Sequence, residues 1–131
     1  MTALVLWLCV GLAGAAGSVL RVWLDTLVTR YVPVSAGHDH PWPAGTLAAN
    51  ILGSFAMGLL AGFAEGSGWS PEVQAILSVG LCGGLTTFST FGVATVRLWQ
   101  AERHGAAVGN ACANVLLGVA AATAGLWLGV R

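Results

Sequence analysis

Charge is the scarcest thing in this 131-residue sequence. It has no lysine, and its five arginines and five acidic residues bring charged positions to 8%. An ordinary soluble domain carries about 25%. The formal net charge is zero, so there is no basic field to attract nucleic acid. No acidic residue falls within the apolar runs Pro41–Ala64, Val73–Val96 or Gly105–Val130, which argues against a proton-coupled pump. The sequence also lacks a paired-carboxylate site, a nucleophile with a matching base, and a phosphate-binding loop, so nothing in it supports enzyme chemistry. Its three cysteines, Cys9, Cys82 and Cys112, lie in apolar stretches. An odd number so placed gives no disulfide framework and reads as apolar packing.

What remains is hydrophobic, at 56% of residues. Four uncharged runs, Thr2–Leu20, Pro41–Ala64, Val73–Val96 and Gly105–Val130, are each long enough for a membrane helix, which takes about 20 residues. Trp7, Trp42, Trp69, Trp99 and Trp127 sit near their ends, where indole rings favour the lipid–water boundary. Trp23 fits that pattern less clearly. Ala13–Gly17 could pass for a signal-peptide cleavage site, but no positive charge precedes it. The expectation is one all-α integral membrane domain over residues 1–131, multi-pass in the lipid bilayer of the inner or plasma membrane, with short loops and no soluble domain.

The stretch Gly80–Phe91, GLCGGLTTFSTF, organises the rest. It lies in the third run, yet it is a poor helix. Paired glycines cost roughly 1 kcal/mol each relative to alanine. Thr86, Thr87, Ser89 and Thr90 then offer hydroxyls that compete with the backbone ladder. Freed carbonyls and amides at membrane depth are tolerated only where protein, water or an ion satisfies them. The sequence therefore predicts a break in the third span, and such breaks mark ion or substrate sites. Phe88 and Phe91 would share one face just beyond it.

Other motifs admit two readings. Gly14, Gly17, Ser18 and Arg21 recur at helical spacing, and small residues there let a second backbone approach. Arg21 reads as a snorkelling arginine paired with Asp25 one turn on, or as an anion-attracting charge at a vestibule. His38-Asp39-His40 has metal-gripping spacing but too few ligands nearby, and reads as a solvated loop. Asn50, Ser54, Gly58 and Gly62 recur every fourth position. That pattern serves helix packing, with Asn50 as interhelical glue, or places Asn50 donors on an ion pathway. Asn110 and Asn114 in the fourth run also need partners, from another helix or from water. The charges around Glu65–Glu72 and Arg97–His104 read as solvated ends.

Taken together, these motifs resemble the small Fluc-type fluoride channels of microbes, also called the CrcB family. The resemblance rests on GLAGAAGSVLR (Gly11–Arg21), GTLAANILGSFAMG (Gly45–Gly58) and, most specifically, the TTFSTF signature after paired glycines. It implies an antiparallel, dual-topology-type dimer of four-helix subunits with two narrow pores and a central structural sodium ion (Na+). By motif match, Gly83 and Thr86 would offer backbone carbonyls to that sodium. Asn50, Phe88, Phe91, Ser89 and Thr90 would form the fluoride pathway. The implied function is passive export of cytoplasmic fluoride, lowering its toxicity.

The family's fourth helix usually carries a hydroxyl track. Here the corresponding face reads Asn114, Gly118 and Ala122, with Thr123 the one hydroxyl nearby, so Asn110, Asn114 and Thr123 are the candidate pore wall. With four spans, Arg30, Arg97 and Arg103 share one side and Arg131 lies on the other. The positive-inside rule then places both termini outside. That bias and the depleted fourth helix leave a second reading: a partner subunit, pairing with a sister chain rather than with itself. A small multidrug-type transporter is a third possibility, but it would want a membrane-embedded glutamate in the first helix, and none is there.

Overall fold

A computed structural model of the chain describes residues 2–31 and 42–131. The His38-Asp39-His40 motif lies outside the described residues. Among those described, helix dominates and no strand forms. Helix α1 covers Ala3–Tyr31 and α2 covers Ala44–Ser67. The third span is composite. It runs through α3 (Pro71–Gln74), a π-helical stretch π1 (Ala75–Cys82), α4 (Gly83–Leu85) and α5 (Phe88–Gln100). Helix α6 covers His104–Gly129. Four segments are long and apolar enough to cross a membrane, and the third is Pro71–Gln100 taken whole. The chain is an all-α, multi-pass membrane protein.

The first span is longer than the sequence predicts. Instead of ending at Leu20, α1 continues to Tyr31, 29 residues in all. Val22, Trp23, Leu24, Leu27 and Val28 keep its outer half apolar, and no proline interrupts it before Pro33. At 1.5 Å per residue such a helix is about 44 Å long, well beyond the ~30 Å hydrocarbon layer. Its C-terminal turns, with Arg30 and Tyr31, therefore reach past the lipid core.

Glycines set the packing. Helix α2 is the most central span, with 28% of its apolar window buried against 6–11% in the other three. It lies along α6 through glycines on both sides. A Cβ built on Gly58 would strike the Ala122 carbonyl, and one on Gly62 would come within 2.8 Å of Gly129. In the reverse direction, Gly125 faces the Phe55 carbonyl and Gly129 lies against Gly62 and Leu59. Two small-xxx-small pairs thus interlock, Gly58–Gly62 on α2 and Gly125–Gly129 on α6. Helix α1 approaches the third span in the same way. Gly17 lies against the Leu81 carbonyl, and Gly84 against the Gly14 carbonyl.

The short connection from α5 to α6 closes a tight hairpin. The Glu102 N–H donates to the Trp99 carbonyl (3.1 Å) and the Arg103 N–H to the Leu98 carbonyl (3.0 Å), the bond pattern of a Schellman cap. Glu102 occupies the left-handed position, with φ 57°, where glycine is normally favoured. His104 adds a 3.2 Å bond to Glu102 and packs its ring 4.3 Å from Trp99. Glu102→Gly should relieve the backbone conflict at the loss of only the exposed contact with His104. The expected gain is about 1 kcal/mol, read as a higher unfolding midpoint in detergent.

Candidate functional site: the interrupted third span

The interruption falls at Thr86 and Thr87, both extended, with φ/ψ of −81°/156° and −151°/121°. Gly83 and Gly84 themselves lie in the α-helical turn α4. Of the weak positions that the sequence predicts, the structure breaks the helix at the threonines and keeps the glycines helical. Gly84 serves close approach by α1 instead. Upstream, π1 already departs from α-helical register, with the Gly83 N–H reaching the Ser78 carbonyl five residues back.

The break redirects specific groups. In a continuous helix the Thr87 N–H would bond the Gly83 carbonyl and the Thr90 N–H the Thr86 carbonyl. Here the Thr87 N–H donates to Asn50 Oδ1 (2.8 Å), and the Thr90 N–H donates to Thr87 Oγ1 (3.2 Å), an N-cap for α5. The carbonyls of Gly83 and Thr86 therefore lose their helical partners. The Gly83 oxygen keeps only the Thr86 hydroxyl, at 3.5 Å. Gly84 receives the Ser18 hydroxyl, also at 3.5 Å.

Asn50 holds the break from α2. Its carboxamide accepts from the Thr87 N–H and donates from Nδ2 to the Thr87 carbonyl (3.2 Å). A neighbouring β-strand would treat an extended residue in the same way. The second Nδ2 hydrogen goes to Asn114 Oδ1 (2.8 Å) on α6. Asn114 in turn donates to Asn110 Oδ1 (3.1 Å) and to the Asn110 carbonyl (3.0 Å). Asn110, only 1% exposed, donates to Thr95 Oγ1 (2.8 Å), and the Thr95 hydroxyl donates to the Phe91 carbonyl (2.8 Å).

Beyond the break the α5 N-terminus carries aromatic and hydroxyl groups. The Phe88 and Phe91 rings pack 5.6 Å apart at 57°. Phe88 is 83% exposed, and Ser89 and Thr90 are exposed with it. Thr87 Oγ1 lies 3.2 Å from Ser89 Oγ and 3.1 Å from Thr90 Oγ1. Arg21 closes the cluster, donating from Nη1 to Thr90 Oγ1 at 3.4 Å, while its Nε is buried with no partner. The expected pairing of Arg21 with Asp25 does not form. The guanidinium is drawn to the hydroxyls at the break, and Asp25 packs on Gly45 at the start of α2.

The candidate residues thus divide. Asn50, Asn114 and Asn110 are joined through hydrogen bonds, whereas Thr123 is exposed with its hydroxyl turned back to the Val119 carbonyl (2.9 Å). Thr95 was not anticipated. A signal for it exists in the hairpin, because Thr95 and Asn110 sit symmetrically about the α5–α6 turn, as do the buried pair Leu98 and Ala107.

Residues 8–126 match the family described as CrcB-like protein, Camphor Resistance (CrcB). Similar proteins include "Fluoride-specific ion channel FluC" of Renibacterium salmoninarum, 44% identical over 92% of this chain and 93% of that one. "Fluoride-specific ion channel FluC 1" of Leifsonia xyli subsp. xyli is 43% identical over 98% and 89%. The Campylobacter jejuni protein named "Fluoride-specific ion channel FluC" is 38% identical over 93% and 92%. With nearly its whole length matched and its distinctive motif built into a broken membrane span, the chain belongs to the CrcB family.

Proposed function

We propose that the chain is a subunit of a fluoride-selective channel that lets cytoplasmic fluoride leave the cell passively and so lowers its toxicity. One observation carries the reading. A membrane span is interrupted so that the first turn of α5, the Ser89 and Thr90 hydroxyls and the Arg21 guanidinium gather beside the Phe88–Phe91 pair. Unpaired N–H groups at a helix start, hydroxyls and a cation all favour an anion. Phenylalanine rings have a positive edge that an anion can approach. Such edge contacts are weak, which suits a pore, where an ion must enter and also leave. The names of the relatives support the choice of fluoride.

Transport needs no energy source of its own. Hydrogen fluoride is neutral and crosses lipid, then ionises in a near-neutral cytoplasm and is trapped. A negative-inside potential drives the anion out with about 2.3 kcal/mol per charge per 100 mV.

The second half of the proposal is a partner. Gly83, Phe88, Ser89 and Thr90 are exposed on one chain, yet irregular backbone at membrane depth is not left facing lipid. A second copy, or a sister chain, inserted in the opposite sense would cover them. The same contact suits a structural sodium. Gly83 and Thr86 carry carbonyls released by the break, and a Cβ on Gly83 would meet nothing closer than 3.9 Å, so the approach is open. Oxygen donors of this kind match a hard cation. When bound, the ion supplies positive charge to oxygens that the helix has abandoned and ties the two subunits together.

The sister-chain version draws on α6. Below Asn114 that helix offers Gly118 toward Ser54 and Ala122 against Gly58, with no hydroxyl on the packed face. Reconstitution into liposomes, with efflux read by ion-selective electrodes, tests the proposal. Fluoride should leave rapidly and chloride should not. Flux that appears only after co-reconstitution with a sister subunit supports the partner reading. Folded protein that passes no fluoride in either arrangement overturns both.

A further inference from the structure

We propose that Thr95 and Asn110 are positioning residues for the conducting site, holding the break and the Phe91 turn in register. The proposal deepens the channel reading and rests on it. The observation is a single closed chain of donors. It starts at the Thr87 N–H and passes through Asn50, Asn114 and Asn110 to Thr95, ending on the Phe91 carbonyl. Both ends lie on the third span, one turn apart, and the middle crosses α2 and α6.

Each link has one polarity. The Thr95 hydroxyl has a single hydrogen, given to the Phe91 carbonyl, so its oxygen must accept from Asn110 Nδ2. Asn110 Oδ1 then faces Asn114 Nδ2, and Asn114 Oδ1 faces Asn50 Nδ2. Asn50 Oδ1 is left for the Thr87 N–H. Turning any one amide over would set donor against donor or acceptor against acceptor at its neighbours. Asn110 is 1% exposed, so it has no water to fall back on. Removing the Thr95 acceptor leaves that buried donor unsatisfied and loosens the chain from the far end. Thr95 itself bonds neither Thr87 nor Asn50.

Thr95→Val keeps the side chain's shape and deletes the hydroxyl; Thr95→Ser restores it. In detergent-solubilised protein, hydrogen exchange of the Thr87 amide should be about tenfold faster in Thr95→Val and near the parent rate in Thr95→Ser. Amides in the middle of α2 should exchange at the parent rate in both. In liposomes, Thr95→Val should slow fluoride efflux severalfold and narrow the preference over chloride, with serine restoring both. Thr95→Ala carries the same expectations should the valine variant fail to fold. Unchanged Thr87 exchange in the hydroxyl-less variants overturns the proposal. So does a serine variant that fails as valine does, because the effect would then follow shape and not the hydroxyl. A parent protein that passes no fluoride removes the channel reading alone, since the exchange measurement decides the positioning role without any flux.

Discussion

Asn50→Leu should abolish fluoride efflux and destabilise the fold by at least about 3 kcal/mol. The substitution strips partners from the Thr87 N–H, the Thr87 carbonyl and Asn114 Oδ1 at once. A buried group left unsatisfied costs about 1–3 kcal/mol, these three lie in part-buried bonds, and leucine supplies nothing in return except apolar volume. Asn50→Asp makes a finer test. A carboxylate still accepts from the Thr87 N–H, but its other oxygen replaces Nδ2 and faces both the Thr87 carbonyl and Asn114 Oδ1. Stability should fall in both variants, measured as the unfolding midpoint, and efflux from liposomes should drop to background. Near-parental efflux in Asn50→Leu would mean that the break is held by something other than this amide.

Gly125→Leu should prevent α2 and α6 from pairing and leave little folded protein. Even a Cβ at that position runs into the Phe55 carbonyl and comes within 2.8 Å of the Leu59 amide nitrogen. These are backbone atoms and cannot swing aside as a side-chain tip would. Gly58 faces the same barrier from the opposite helix, with the Ala122 carbonyl in the way and the Leu126 nitrogen at 3.0 Å. Overpacking costs about 1–3 kcal/mol even where side chains can adjust, and here the helices must separate. Gly109 supplies the contrast. It lies on the same helix with nothing within 4 Å, so Gly109→Ala should be neutral or stabilise the helix by roughly 0.5–1 kcal/mol. Yield of monodisperse protein in detergent and its unfolding midpoint separate the two. Equal tolerance at both positions would contradict the close approach described above.

Much of this was legible because the bilayer enforces simple rules. Long uncharged runs had to be helices, and Asn50 and Asn114 had to find partners. What could not be read was which partners they would choose. Nothing in the spacing says that Asn50 meets Thr87 and Asn114 together, since that depends on how α2 and α6 slide along each other. Of the glycines that fix this slide, Gly58 and Gly62 stand out in the every-fourth repeat, while Gly125 and Gly129 do not. The break falls within the stretch the sequence predicts, but which residues in it are extended is set by the fold. Paired glycines and threonine hydroxyls both weaken the helix on paper, but only Thr86 and Thr87 become extended, and the Thr87 hydroxyl caps the next helix. Of the two readings of Arg21, the pairing with Asp25 rests on nearness in sequence, while Thr90, which it meets instead, is near only in space. The roles of Phe88, Ser89 and Gly83 depend on a partner's surface, which no pattern within one chain can supply.

The amide that holds the break also bears on how the chain is made. A span that cannot satisfy its own backbone leaves the insertion machinery with bare peptide groups. Its main clamp, Asn50, lies on a segment synthesised earlier and already in place, while the outer brace, Asn114, emerges last from the ribosome. The nascent protein can therefore shelter Thr87 as soon as the third segment arrives. The Asn50–Asn114 bond, and with it the rest of the amide chain, forms only once the fourth span is delivered.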